Sequence, residues 1–264
     1  MYHRKRRCDR LSHSTAINLY MARENSQGDL AIQPIRVFQH GECEGLGYLT
    51  PFLADRDIPY EVIQIGQGEA VPAGIEDVSG LIFLGSAHSV NDRHGWILDE
   101  LALIRTASQA DMPVLGICFG GQLISKSLGG TVTKAPRMQA GWFHVDITKE
   151  AVAILGPEAE RGFEVFEWHE YMFSLPIGSV PLFYGHCTKN QGFIHGHCLA
   201  IQFHPEFTGN KIQHCLSKNT SLSEHSSSCA QSGDEMLEGL NERLDRMHTV
   251  ADALFSWWLD LTIN

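Results

Sequence analysis

Residues 112–130 read MPVLGICFGGQLISKSLGG, and this stretch decides the fold. The apolar run Met112 to Ile117 predicts a short buried strand, and Gln122 to Leu128 predicts a helix that ends at Gly129-Gly130. Cys118 lies on the glycine-rich turn between them. A nucleophile elbow has this order of strand, sharp turn and helix, and its neighbouring glycines avoid Cβ clashes. The pattern therefore predicts a Cys118 sulfur exposed above a sheet.

The position of Cys118 before a helix favours a reactive thiolate, because the helix dipole and free backbone amides stabilise negative charge. The alternative is a small core residue between glycines. A second motif favours the reactive interpretation: Leu199 to Glu206 reads LAIQFHPE, an apolar strand that ends in His204 and Glu206. Such a histidine takes the thiol proton and later protonates a leaving amine, while the carboxylate orients the imidazolium.

These two motifs resemble those of the class I glutamine amidotransferase family, and the resemblance runs from about Ile35 to Phe207. Within the family, the chain is similar to the free-standing glutaminase domain of GMP synthetase. The resemblance implies a catalytic triad of Cys118, His204 and Glu206. It also implies an oxyanion site of backbone amides around the loop after Leu84 and the elbow helix, at Gly85, Ser86 and Phe119.

The family resemblance also suggests substrate contacts. Many relatives read Trp-His-Gly-Asp where this chain reads Trp168-His169-Glu170-Tyr171, so Tyr171 occupies the position of the aspartate that helps to hold the glutamine α-amino group. Either Glu170 takes over that contact or the substrate differs from free glutamine, because Tyr171 adds an aromatic wall. The expected substrate-binding residues are His88, Ser89, Gln122, Trp142, His169, Glu170 and Tyr171. For Trp142 and Trp168, an ordinary place in the core is the open alternative.

Composition indicates one soluble catalytic domain. The 264 residues are 43% hydrophobic, enough for a substantial core. The formal net charge of −11 argues against nucleic acid as a partner. No segment is typical of a membrane span or a secretory signal. The seven cysteines form an odd count without a regular framework, and a reactive thiol favours a reducing compartment, so we expect a cytoplasmic protein.

Alternating strand and helix patterns predict an α/β fold, with an open, mostly parallel sheet flanked by helices, flavodoxin-like as in class I glutamine amidotransferases. Predicted strands lie near Ile35–Gln39, Tyr60–Ile65 and Leu81–Leu84, with helices near Leu46–Asp55 and Leu98–Ala110. We expect a partly disordered N-terminal tail over residues 1–34, the catalytic domain over 35–210, a Ser-rich linker over 211–233, and a C-terminal helix over 234–264. That helix packs on its own domain or, alternatively, serves as a lid or dimer contact.

Cofactor motifs are missing from the sequence. Neither of the common glycine-rich nucleotide-binding patterns occurs. His186-Cys187 and His195-Gly196-His197-Cys198 suggest zinc, but their spacing matches no standard finger. We therefore expect no cofactor and no metal. His40 follows the first predicted strand, and we interpret its surroundings as a loop with a lesser prospect of substrate contact.

The sequence therefore predicts a cysteine-dependent hydrolase of a small-molecule γ-glutamyl amide that acts through a γ-glutamyl thioester. Three alternatives stay open: a glutaminase subunit that supplies ammonia to a separate synthetase, a non-catalytic binding relative, and another elbow-cysteine family. A homodimer is also open, and neither nucleic acid nor a membrane is an expected partner.

Overall fold

The computed structural model describes residues 22–24, 30–41, 44–218 and 227–261. The strands are β1 Ala22–Glu24, β2 Leu30–Ile32, β3 Ile35–Gln39, β4 Tyr60–Gln64, β5 Gly80–Phe83, β6 Val114–Ile117, β7 Val132–Ile147, β8 Phe163–Phe173, β9 Val180–Gly185, β10 Asn190–His195 and β11 Cys198–Ile201. The helices are α1 Leu49–Ala54, α2 Gly95–Gln109, α3 Phe119–Ser127, α4 Lys149–Leu155, α5 Gly209–Lys218, α6 Gly233–Leu237 and α7 Leu240–Asp260.

Nine strands form one sheet in the order β4-β3-β5-β6-β11-β10-β9-β7-β8. The pairs from β4 to β11 are parallel, and those from β11 to β8 are antiparallel. Strands β6 and β11 are buried along their whole length, as parallel strands covered by helices on both faces should be. The predicted α/β fold is confirmed, and its parallel half holds the elbow.

The neighbouring strands β6 and β11 bring the two sequence motifs together. Ile117 is in register with Ile201, and the N–H of Cys118 donates to the Ile201 carbonyl at 2.8 Å. The chain after each strand therefore emerges at the same edge of the sheet. This edge is the carboxyl end of the parallel strands, where open α/β sheets bind their ligands.

Apolar clusters cover both faces of the sheet. Helices α2 and α3 pack on one face, and α1 and α7 pack on the other. From α7, Leu254, Phe255 and Trp258 are buried in the same core as the strands. The C-terminal helix therefore packs on its own domain in this structure. A third cluster joins α5, α6 and α7 to β7 and β8, and it holds α5 beside the carboxyl edge of β11.

The linker predicted over residues 211–233 is wrong for its first part. Residues from Gly209 to Lys218 form α5, whose Ile212 and Leu216 are buried against the third cluster. Farther along, Ala230 bridges to Ala140 on β7, and residues 219–226 lie outside the described chain. In the predicted tail, β1 and β2 pair antiparallel, while residues 1–21 and 25–29 are not described.

A disulfide joins Cys187, in the turn between β9 and β10, to Cys229. Their Cα atoms lie 5.8 Å apart. No pattern in the sequence predicted this pair, and disulfides are rare in cytosolic proteins. The disulfide therefore weakens the argument from cysteine usage for a cytoplasmic location. That location stays a prediction. Among the described helices, none combines the length and apolar character that crossing a membrane requires.

Candidate active site

The elbow at Cys118 has the backbone strain that its sequence predicts. Cys118 adopts φ 53° and ψ −104°, a conformation that residues with a Cβ rarely take. A Cβ on Gly120 would overlap the Phe83 carbonyl, and one on Gly116 would overlap the backbone of Gly120. The two glycines therefore allow α3 to start directly above β5 and β6. The sulfur is less exposed than predicted, because Cys118 keeps only 6% of its surface.

His204 and Glu206 form a buried pair beside Cys118. His204 Nδ1 lies 2.8 Å from Glu206 Oε1, and both side chains are almost completely buried. Lys211 Nζ lies 3.7 Å from the same carboxylate oxygen and donates to the Gly45 carbonyl. The pair therefore has a fixed orientation and a nearby cation that stabilises the carboxylate.

The opposite charges of His204 and Glu206 stabilise each other. Burial by itself lowers the pKa of His204, but the Glu206 carboxylate and the facing Cys118 sulfur outweigh it and raise that pKa to about 10. Burial opposes ionisation of Glu206, yet His204 and Lys211 keep its pKa below the ordinary value. A histidine that keeps its proton beside a cysteine sulfur is the arrangement that favours a thiolate nucleophile.

Two further groups approach the Cys118 sulfur. Gln202 Nε2 lies 3.8 Å from Sγ, and the Trp168 carbonyl oxygen lies 3.9 Å from it. His204 Nε2 is 3.4 Å from that same carbonyl. The end of β8 therefore confines the sulfur and the imidazole from one side, and Gln202 offers the sulfur a donor that sequence reasoning did not identify.

The predicted oxyanion residues lie next to the sulfur. Gly85 and Ser86 line a cavity that also contains Cys118, and Phe119 begins α3, whose first N–H groups lack intrahelical acceptors. Among the described residues, no acceptor pairs with the Ser86 N–H. The Gly85 carbonyl points the other way and accepts from His40 Nδ1 at 3.0 Å. Free backbone donors thus flank Cys118 on two sides, which is the chemistry that a tetrahedral oxyanion requires.

Two cavities meet at Cys118. Both are lined by Cys118 and by Ser86, Ala87 and Trp168. We call them after one residue of each. The His204 cavity, of about 240 Å³, has a mainly apolar lining that also includes Glu44, Gly85, His204, Phe207, His214, Cys215 and Lys218. The Gln122 cavity, of about 270 Å³, is more polar and also includes His88, Phe119, Gln122, Met138, His169, Glu170 and Tyr171.

Five of the seven predicted substrate-binding residues line the Gln122 cavity, and the other two do not line either cavity. Trp142 is buried in the third apolar cluster and donates Nε1–H to the Met236 carbonyl, so its predicted substrate contact is not supported. Ser89 is buried and accepts from the Asn91 N–H. The family position alone suggested both residues. Trp168, by contrast, lines both cavities.

The residues that replace the family's aspartate have different surroundings. The Gln122 Nε2 group donates to the Tyr171 carbonyl at 3.1 Å, which fixes the end of β8 against α3. His169 is buried, with Nδ1 near the Tyr171 carbonyl and Nε2 3.1 Å from Glu167. Glu170 is half exposed and lies 3.2 Å from Lys134 Nζ. Glu170 is therefore the carboxylate of this group that is accessible from the cavity.

Several cavity residues were missed from the sequence. Phe207, His214, Cys215 and Lys218 belong to α5 and the segment before it, and most of α5 falls within the predicted linker. The helical spacing of Ile212 and Leu216 was the available signal. The burial of Glu100 within α2 was also missed, although an acid among apolar helix positions is an unusual pattern.

Metal ligation has one geometric candidate in the described part of the chain. His88, Asp92 and His94 are exposed, and their potential ligand atoms lie within 4.8 Å of one another. The sequence had suggested a different group, but Cys187 is oxidised with Cys229, and burial raises the pKa of Cys198 to about 11. Cys198 therefore resists the deprotonation that zinc ligation needs.

Comparison with known proteins identifies the family. The sequence profile "Glutamine amidotransferase class-I" matches residues 52–222. The chain belongs to the class I glutamine amidotransferase family. A solved glutamine amido transferase from Methylobacillus flagellatus has a TM-score of 0.83 at 30% identity, over 88% of this chain and 96% of that one. A Thermotoga maritima glutamine amidotransferase, 22% identical, has a TM-score of 0.77 over 86% and 98% of the two chains and supports the fold alone.

Relatives within the amidotransferase family carry different names. Gamma-glutamyl peptidase 4 of Arabidopsis thaliana is 30% identical over 173 residues, which are 61% of this chain and 68% of that protein. One subunit of the glutamine-hydrolyzing GMP synthase of Sulfurisphaera tokodaii is 31% identical over 135 residues, 50% of this chain and 69% of that protein. A GMP synthase of Acetivibrio thermocellus matches over 19% of its own length. The resemblance predicted from the two motifs is confirmed.

Proposed function

We propose that this amidotransferase relative hydrolyses a γ-glutamyl amide bond through a thioester on Cys118. One observation carries the proposal: Cys118 lies at the junction of two cavities, and its sulfur faces the buried His204, which pairs with the Glu206 carboxylate. A core cysteine needs neither a charged partner nor an opening on both sides. A nucleophile that must hold an acyl group and release an amine needs both.

The first half of the reaction forms the thioester. Cys118 Sγ attacks the γ-carbonyl carbon, and the carbonyl oxygen becomes an oxyanion that the N–H groups of Ser86 and Phe119 stabilise. The C–N bond then breaks, and His204 gives its proton to the departing nitrogen. The products of this half are a neutral amine and a γ-glutamyl group bonded to Sγ.

The second half releases glutamate. A water molecule attacks the thioester carbon while neutral His204 accepts its proton, and Glu206 stabilises the imidazolium that forms. The C–S bond breaks, so Sγ leaves as a thiolate beside His204. The site thereby returns to its starting charge state.

Two relatives support the γ-glutamyl group as the acyl part. The gamma-glutamyl peptidases 4 and 5 of Arabidopsis thaliana are 30% and 27% identical to this chain. The accessible Glu170 carboxylate in the Gln122 cavity is suited to the α-ammonium group of a γ-glutamyl substrate.

The direct test is glutamate release from glutamine and from a panel of γ-glutamyl amines, anilides and peptides. Wild-type protein should turn over at least one conjugate, and Cys118→Ala should be inactive. Mass spectrometry of acid-quenched enzyme should show a γ-glutamyl adduct on Cys118. Turnover that persists in Cys118→Ala, or binding without any turnover, would refute the proposal, and binding alone would favour the non-catalytic alternative.

A second candidate is a glutaminase subunit that supplies ammonia to a separate synthetase, as the similarity to one subunit of a GMP synthase suggests. This candidate predicts weak glutamine hydrolysis by the isolated chain and strong stimulation by a partner. It also predicts that conjugates with bulky amines are poor substrates. The same panel therefore separates the two candidates.

A further inference from the structure

The two cavities at Cys118 differ in their relation to the predicted general acid. Among the described residues, His204 lines the mainly apolar cavity and does not line the Gln122 cavity. The Gln122 cavity has the more polar lining, with His88, Gln122 and Glu170. Cys118 thus divides a mainly apolar side from a more polar side.

Reaction geometry assigns a part of the substrate to each side. The general acid must lie within hydrogen-bond reach of the nitrogen that it protonates. The departing amine therefore lies on the His204 side, and the acyl group extends into the opposite cavity. The polar groups of the Gln122 cavity suit the charged α-amino and α-carboxyl groups of a γ-glutamyl chain.

The His204 cavity is large and hydrophobic for an ammonia site. Its volume is about 240 Å³, whereas a water-sized molecule occupies about 30 Å³. Trp168, Phe207 and Cys215 form part of its wall. Apolar walls of this kind favour an apolar ligand group, because such a group gains free energy when it leaves water.

We propose, on the basis of the γ-glutamyl hydrolase function above, that the His204 cavity binds the leaving amine and selects amines with an apolar body of about the size of an aromatic ring. Glu44, His214 and Lys218 also line this cavity. The proposal thus defines the class of conjugate and not one compound.

The test compares γ-glutamyl amides that differ only in the amine: glutamine, the methylamide, the butylamide and the phenethylamide. We expect kcat/KM to rise along this series, by about tenfold or more from methylamide to phenethylamide. Cys215→Phe narrows the cavity and should lower the phenethylamide to methylamide ratio about tenfold. Met138→Phe, in the Gln122 cavity, is the matched control and should leave that ratio unchanged.

The outcomes separate this inference from the function on which it depends. If no γ-glutamyl amide forms an adduct on Cys118, the hydrolase function itself fails. If all the amides react and kcat/KM is flat or highest for glutamine, the hydrolase function stands and the amine-selecting cavity is refuted. An equal effect of Cys215→Phe and Met138→Phe on the ratio would also refute it.

A second inference rests on a buried pair that the mechanism above does not use. His40 and Glu100 are completely buried side chains, and His40 Nε2 lies 3.0 Å from Glu100 Oε1. The other ring nitrogen lies 3.0 Å from the Gly85 carbonyl, which can only accept a hydrogen bond. Nδ1 must therefore carry a proton that it donates to the Gly85 carbonyl. This holds whether the proton between Nε2 and Glu100 is bonded to the histidine or to the carboxyl group.

The direction of the Gly85 carbonyl fixes the adjacent N–H. The C=O of Gly85 and the N–H of Ser86 belong to one planar trans peptide, so they point in opposite directions. Because the carbonyl faces His40, the Ser86 N–H faces away from His40, and Ser86 itself lines both cavities. The His40 ring also packs edge-on against Phe119, at a centroid distance of 4.9 Å.

We infer that His40, supported by Glu100, is a positioning residue that aims the Ser86 N–H at the developing oxyanion. Burial raises the pKa of Glu100 against the opposing effect of His40, so the Glu100 carboxyl group keeps its proton more readily than an exposed one. An amide at this position is therefore a close substitute for the acid. This inference predicts an effect on the reaction rate and applies to any leaving amine.

Iodoacetamide provides the readout that distinguishes positioning from general damage. It alkylates a thiolate by displacement at carbon, without an oxyanion, whereas amide hydrolysis needs the oxyanion site. In His40→Ala we expect hydrolysis to fall about 10- to 100-fold at similar KM, with alkylation of Cys118 changed less than about twofold. Glu100→Gln should retain most hydrolysis, and Glu100→Leu should lose it without losing alkylation.

Two results would overturn this inference. Unchanged kcat in His40→Ala and Glu100→Leu would show that the pair does not serve the reaction. A parallel loss of hydrolysis and alkylation would show that it merely maintains the fold. If His40→Ala does not fold, as judged by circular dichroism, the comparison of Glu100→Gln with Glu100→Leu decides the question.

Discussion

The backbone N–H of Tyr48 donates to the carbonyl oxygen of Glu206 at 2.9 Å, and this bond ties the start of α1 to the predicted triad. Gly47, just before Tyr48, has a φ of 55° and packs closely against the same carbonyl. A Cβ at Gly47 would overlap that oxygen. The position of Glu206, and through it the orientation of His204, thus depends on a glycine far away in the sequence.

Gly47→Ala should therefore lower kcat about tenfold or more, because a small displacement of Glu206 reorients His204. The matched control is Gly68→Ala, since Gly68 also has a positive φ, of 90°, but has open space around its Cβ position. Both variants should lose stability from backbone strain. Steady-state kinetics and urea denaturation test this, and equal kcat in the two variants would contradict it.

Cys118→Gly should be more stable than Cys118→Ala by about 1 kcal/mol, because glycine adopts the positive φ of the elbow with little strain. Both variants lack the sulfur and should be inactive, so the comparison isolates the backbone. Urea denaturation measures the difference in unfolding free energy. Equal stability would mean that the elbow conformation costs little.

The pH dependence of hydrolysis should change in Glu206→Gln. Glu206 is the strongest of the groups that raise the pKa of His204, so wild-type His204 keeps its proton until the pH rises through about 10. Removing the carboxylate lowers that pKa, and the alkaline fall of kcat/KM should move to lower pH. Profiles from pH 6 to 11 measure the shift. Glu160→Gln, at an exposed acid outside both cavities, is the control that should keep the wild-type profile.

Glu170→Gln should raise KM about tenfold for every γ-glutamyl substrate and leave the preference among amines unchanged, if Glu170 replaces the family's aspartate. The reason is that the carboxylate lines the cavity assigned to the acyl group and not the cavity assigned to the amine. Lys134→Ala removes the ion-pair partner of Glu170 and should have a smaller effect. An unchanged KM in Glu170→Gln would rule out the replacement.

Loss of the disulfide should destabilise the fold. Cys187 and Cys229 are 42 positions apart, and closing a loop of that size is worth up to about 4 kcal/mol of unfolding free energy. We expect Cys187→Ser, Cys229→Ser and the double variant to lose similar amounts, because either single change breaks the bond. Additive losses, or no response of the wild type to reductant, would mean that the pair is not formed in solution.

The sequence was most informative where burial is continuous. The prediction for β3 agrees with the structure, those for β4 and β5 lie within one residue of the observed bounds, and β6 starts two residues later than predicted. Strands β5 and β6 are buried along their whole length, and covered parallel strands of this kind are apolar runs that a sequence shows clearly. Helix α5 was missed because Ile212 and Leu216 are its only buried residues among the ten. A helix with so narrow an apolar face resembles a polar linker in composition.

The residues of the predicted triad were accessible to sequence reasoning because each lies in a compact motif with its own local geometry. The two cavities were not, since their walls combine the loop after β5, the end of β8 and α5. The contact between His40 and Glu100 was equally hidden, because it joins residues 60 positions apart through the packing of α2 on the sheet. Such contacts depend on the arrangement of whole elements, and local patterns do not specify it.

The adjacency of β6 and β11 has an evolutionary consequence. The spacing between hydrogen-bonded strands is nearly invariant, at about 4.8 Å, so the nucleophile and its base inherit their separation from the sheet itself. The residues of the His204 cavity, to which we assign the departing amine, lie instead mostly on α5 and on loops. Substitutions there can change the shape of the cavity while the two strands keep Cys118 and His204 in place, so one fold can accommodate different ligands.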